Sequence, residues 1–124
     1  MALTLRIKPG WDEVRNSEGP PVSYVEAGQW PRATLRPQAP AGAHLAQAIA
    51  ASLEAVMVER DLSARAVARL VGATHPTITR LLDGDGLTDA RSVFLLEVAL
   101  QVPLWPRDLY KGVELDVAPK PGAS

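Results

Sequence analysis

Apolar residues repeat with two different periods along this chain. Leu3, Leu5 and Ile7 alternate with Thr4, Arg6 and Lys8, the period of a half-buried strand, and Pro9-Gly10 ends the run. Val22–Ala27 and Ala33–Arg36 predict two more short strands, with a loop over Asn16–Pro21 before them. From Ala43 to Tyr110 the spacing turns helical. Leu45, Ile49, Leu53, Val56 and Met57 recur every three or four positions and share one face of a helix expected from about His44 to Arg60. Ser63 is a good N-cap for a second helix that runs to Val71, with Val67, Val71 and the small Ala64 and Ala68 facing inward. Gly72 stops that helix. Thr74 caps a third helix, and Pro76 falls in its first turn, where a missing N–H costs little. Ile78, Leu81 and Leu82 face inward, and Asp83-Gly84 closes the helix.

These periods divide the chain into an N-terminal β-rich extension and linker over residues 1–42, a helical domain over 43–112 and a flexible tail over 113–124. The linker is the Pro- and Ala-rich stretch 37–42. Trp11 and Trp30 both lie in the extension, so at least a hairpin is expected there, packed on something else. Aromatic residues make up only 5% of the chain, leaving Val, Leu, Ile and Ala to fill the core. The absence of cysteine excludes disulfides and thiolate metal sites. Apolar runs are short and interrupted, the start lacks the layout of a signal peptide, and a cytoplasmic protein with no membrane span is expected.

The stretch from Leu62 to Gly84 resembles, without a gap, the helix-turn-helix motif of the Cro/lambda-repressor family. The matching features are a small residue inside the second helix (Ala68), a glycine in the turn (Gly72), a β-branched residue in the third helix (Ile78) and a closing Leu-x-x-Gly (Leu81 to Gly84). The small residue and the glycine let two short helices cross closely. The run from Phe94 to Pro106 looks like the family's fourth helix and its entry into a fifth, with Pro106 as the start of the last. The resemblance covers about residues 43–112. It implies a mainly α fold, a five-helix lambda-repressor-like DNA-binding domain carrying the short β-rich extension. Three departures stand out. Ala64 replaces the Gln that often contacts phosphate, the turn after the third helix is the acidic Asp83-Gly-Asp-Gly86, and two extra residues follow Val102.

In that family the third helix enters the major groove with its N-terminal residues at the base edges. On a helical wheel Pro76 and Arg80 lie opposite the inward residues, flanked by His75, Thr77 and Thr79. The resemblance makes these five the candidates for base contact. Arg80 suits a guanine edge, since a guanidinium donates two hydrogen bonds to O6 and N7. A lone Arg on a helix is ordinarily a solvated charge; only the family geometry aims Arg80 at DNA. His75 is equally at home as a capping or packing group. Phosphate contact falls to Ala64, through the free N–H groups at its helix start, and to Arg65, Arg69 and Arg91.

Charge qualifies this picture. Residues 43–112 hold seven basic and eight acidic side chains. A monomer so poor in positive charge gains little from counterion release, so a homodimer on two half-sites of an operator is expected. Leu70 faces away from the core on the wheel, and with Trp11 and Trp30 it suggests that the extension folds over the second helix or pairs with another subunit. Trp105 is expected under the last helix. Neither His44 nor His75 has an acidic residue at metal-ligand spacing, and no Gly-rich phosphate loop occurs, so neither an enzyme nor a cofactor is expected. The acidic turn and the missing Gln leave an alternative: a protein-interaction module of the same fold, or an antitoxin-like partner-binding protein, with weak or no DNA binding.

Overall fold

The computed structural model describes residues 18–86 and 89–113. The strand expected at Leu3–Ile7, Trp11 and residues 114–124 lie outside them. The fold is mainly α, with a small two-stranded antiparallel sheet. A 3-10 turn at Pro21–Tyr24 leads into β1 (Val25–Ala27), followed by β2 (Thr34–Leu35), α1 (Ala41–Arg60), α2 (Ala64–Val71), α3 (His75–Asp83), α4 (Ala90–Leu100) and a second 3-10 turn at Leu109–Gly112.

α1 is the axis of the core. Its inward positions Ile49, Ala50 and Leu53 are fully buried and meet Val67 of α2, Ile78 of α3 and Val93 and Leu96 of α4. The helix begins at Ala41, within the expected linker, because Ala43 and Ala46 also find a buried surface. A smaller cluster of Leu35, Ala39 and Ala43 supplies it. By length and composition α1 is apolar enough to cross a membrane, contrary to the expectation from interrupted runs. Its many alanines raise the average without forming a continuous run of large side chains.

The N-terminal extension folds onto this helical unit through its polar backbone as much as its side chains. Val25 pairs with Leu35 and Ala27 with Thr34, with an irregularity between the two pairs. The first half of the expected strand Val22–Ala27 is instead the 3-10 turn, which Pro20 and Pro21 favour by fixing their φ. The turn lies against α1. Gln47 Nε2 donates to the Ala33 carbonyl at 2.6 Å, and Arg32 forms an ion pair with Glu54. Trp30 packs against both clusters and so joins them. Its Nε1–H donates to the Leu82 carbonyl at 3.0 Å, while the Val22 N–H donates to the Gly84 carbonyl at 2.9 Å. The extension thus docks on α1 and the C-terminal end of α3. Leu70 of α2, expected beneath it, is 55% exposed.

The expected five helices become four α-helices among the described residues. After α4 the Glu97 carboxylate accepts the N–H groups of Leu104 and Trp105 at 2.7 and 2.8 Å. These bonds hold the chain in a turn that buries Leu104. The segment after Pro106 has no side-chain cap and closes only the 3-10 turn. Trp105, expected under the last helix, is half exposed, because Leu104 takes the inward position.

Two glycines make a controlled comparison. Gly72 and Gly84 both have left-handed backbone (φ +73° and +69°), but a Cβ at Gly72 would meet nothing, whereas one at Gly84 would lie 2.5 Å from the Trp30 ring. Gly72→Ala is expected to cost the backbone term alone, about 1–2 kcal/mol. Gly84→Ala adds overpacking of about 1–3 kcal/mol. Urea denaturation of the two variants checks the difference, and equal losses would contradict the packing described.

Glu97 gives a pH prediction. The N–H groups of Trp105 and then Leu104 hold its carboxyl below the ordinary glutamate range, against a slight desolvation effect. A folded-state value below the unfolded one stabilises fully above the unfolded value, and the gain is lost as pH falls through the folded one. The stability advantage of wild type over Glu97→Gln should therefore be greatest above about pH 5 and shrink on acidification through the carboxylate range. A gap that stays constant between about pH 6 and pH 3 would contradict it.

Candidate nucleic-acid interface

The candidate surface is built from short helices whose first turns are all capped. Ser63 Oγ accepts the Ala66 N–H at 3.0 Å and starts α2. At the other end Gly72 adopts the left-handed conformation and donates to the Ala68 carbonyl. Only Gly72, Ala73 and Thr74 separate α2 from α3. Thr74 Oγ1 then accepts the Thr77 N–H at 3.3 Å and lies 2.9 Å from Thr77 Oγ1. Val67, Ala68, Ile78 and Leu81 are buried at the crossing of the two helices, as their spacing predicts. Leu82, expected inward, is only partly buried, since it lies toward the extension.

This arrangement leaves the start of α3 in solvent. Pro76, Thr77 and Arg80 are exposed, and His75 and Thr79 are half buried. Thr79 Oγ1 donates to the Pro76 carbonyl at 3.2 Å, so part of its polarity is satisfied within the helix. The Arg80 guanidinium reaches back toward the loop after the helix, passing close to Gly86. It makes no hydrogen bond or ion pair among the described residues, which leaves its donors available. The extension covers the opposite, C-terminal end of α3 and leaves these five positions uncovered among the described residues.

The residues expected at phosphates divide between two helices that pack together. Ala64 is half buried at the first position of α2, where its side chain adds nothing beyond the backbone. Arg65 and Arg69 are exposed one turn apart on the same helix. Arg91 is exposed at the second position of α4. Asp83 and Asp85 are exposed just beyond the closing turn of α3 and bring negative charge to that side.

Sequence reasoning missed two features here. Asp89 caps α4, its Oδ1 accepting the Ser92 N–H at 2.7 Å. That backbone N–H, then the Ser92 hydroxyl and the charge of Arg91, hold its carboxyl below the ordinary range. The start of α4 thus already carries an anion of its own, and only the guanidinium of Arg91 remains to attract a phosphate. The spacing of Asp89 from Ser92 was the available signal. The second feature, Trp30 seated on Gly84, spans more than fifty positions and leaves no local trace.

Compared with family models, with curated proteins and with solved structures, the chain matches none.

The Thr74 cap is directly testable. Thr74→Ala removes the acceptor for the Thr77 N–H and should destabilise the protein by about 1 kcal/mol. Amide hydrogen exchange should quicken first at Thr77 and Ile78. Unchanged exchange there would mean that the cap does not hold the start of α3.

Proposed function

We propose that the chain is a sequence-specific DNA-binding regulator of the Cro/lambda-repressor type that reads the major groove with α3. One observation carries this reading: the capped start of α3 offers Pro76, Thr77 and Arg80 to solvent while Ile78, Leu81 and Leu82 of that helix turn inward or toward the extension. A helix held this way behind a three-residue turn has the shape that enters a major groove, about 12 Å wide. Arg80 is the base reader, suited to guanine, and His75, Thr77 and Thr79 flank it. Arg65 and Arg69, together with the backbone N–H groups at the start of α2, hold phosphates; Arg91 adds a weaker contact beside Asp89.

The low positive charge requires two copies on one operator. The exposed stripe of Phe94 and Val98 on α4, 62% and 49% accessible, supports pairing, since such side chains gain by leaving water. A second reading is a protein-interaction module that has kept this fold without DNA binding. The acidic pair Asp83 and Asp85 beside α3 favours it, because they repel a phosphate backbone.

Selection of bound duplexes from a random pool, with sizing of the protein alone and on the enriched site, tests the proposal. A palindromic site bound by two copies is expected. Arg80→Ala should stay folded by circular dichroism and lose about 1–3 kcal/mol of base discrimination at one position of each half-site. No enriched sequence would favour the interaction module. An enriched sequence read equally well by Arg80→Ala would remove Arg80 from the base-reading set.

A further inference from the structure

A cleft of about 680 Å³ lies between Trp30 and the C-terminal ends of α1 and α3. The cleft is open, with Val58 on its wall 77% exposed, so a ligand would lie along it with one side in water. Its lining is Trp30, Met57, Val58, Leu62 and Leu82 on the apolar side and Glu54, Asp61 and Asp83 on the polar side. No Lys or Arg lines it.

The acidic residues stand where helix electrostatics disfavours them. Asp61 caps the C-terminus of α1 in left-handed conformation, and Asp83 is the last residue of α3. The carbonyl end of a helix carries partial negative charge and is stabilised by cations, by about 0.3–1 kcal/mol each. Glu54 is matched by its ion pair with Arg32. The carboxylates of Asp61 and Asp83 make no hydrogen bond or ion pair among the described residues. Two helix ends and two unmatched carboxylates therefore direct negative potential at a cleft with an indole in its wall. A cation there relieves both like-charge contacts, and an aromatic wall adds attraction when the cation approaches the ring face. An anion is repelled, and a neutral apolar molecule leaves the repulsion in place.

We propose that this cleft binds a small organic cation: an ammonium, amidinium or guanidinium group on a flat apolar body. The charge faces Asp61 and Asp83, and the body lies against Trp30, Leu62 and Leu82. The site is separate from the start of α3 and does not depend on the DNA reading.

Benzamidine, neutral benzamide and anionic benzoate are matched probes. Each is titrated into the ¹⁵N-labelled full chain while the Trp30 indole N–H and the amides of Asp61, Leu62 and Asp83 are followed. Benzamidine should give saturable shifts at these positions, benzamide should bind at least about fivefold more weakly, and benzoate should not bind. The double variant Asp61→Asn with Asp83→Asn should weaken benzamidine about tenfold and remove most of its advantage over benzamide. Both changes keep shape, and Asn tolerates the left-handed backbone at position 61. Shifts that do not saturate, equal binding of benzamide, or an unchanged benzamidine affinity in the double variant would overturn the proposal.

Discussion

The arrangement of this protein depends on the seating of one indole over a position that has no side chain. Trp30 lies on Gly84, where a single added carbon would stand 2.5 Å from the ring, and its N–H takes the Leu82 carbonyl. Without that contact the extension would keep the turn at Pro21–Tyr24, the small cluster of Leu35 and Ala39 with Ala43, the Gln47 bond and an exposed ion pair, and exposed ion pairs add little. The two apolar clusters share Trp30, so the same ring joins a two-stranded sheet too small to stand alone to a helical core that can.

This joint divides α3 into two ends with different duties. Its last carbonyls are held by Trp30 and Val22, directly or through the closing glycine, and its first turn is held by Thr74 and by the Thr79 hydroxyl on the Pro76 carbonyl. The proposed DNA contacts use the first end and the proposed cation site uses the second. A helix anchored at its C-terminus can present its N-terminal residues without side chains from residues 18–42 crowding them. The same geometry explains why α2, rather than the extension, borders the candidate contact surface.

The helices were legible because each signal acts within a few residues. Ser63, Thr74, Gly72 and Gly84 cap helices where their types suggested, and Ile49, Leu53, Val67 and Ile78 are buried as their spacing required. The exposed start of α3 was equally legible, since a wheel separates Arg80 from Ile78 without reference to the rest of the chain. The features that escaped notice act at a distance. The docking of Trp30, the hold of Glu97 on Leu104 and Trp105, and the loss of a fifth α-helix all arise from contacts between segments. Pro106 signalled a helix start, yet no local rule says that the preceding amides are already taken. The cover expected for Leu70, the extension or a second subunit, is not supplied by residues 18–42, and single exposed apolar residues are ordinary.

Among the described residues no polar or charged side chain is buried; the interior is alanine, valine, leucine and isoleucine, with Pro21 and Pro31 where the extension meets it. Such an interior rewards volume more than identity, and volume-conserving aliphatic exchanges within it usually cost under about 1.5 kcal/mol. Uniqueness of the fold must then come from the ends of the helices, where one hydroxyl or one missing Cβ decides where each turn begins and stops. Volume-conserving aliphatic exchanges should therefore be borne best in the core, whereas changes at the caps Ser63, Thr74 and Asp89, and at Gly84 beneath the indole, remove a contact that no neighbour can replace.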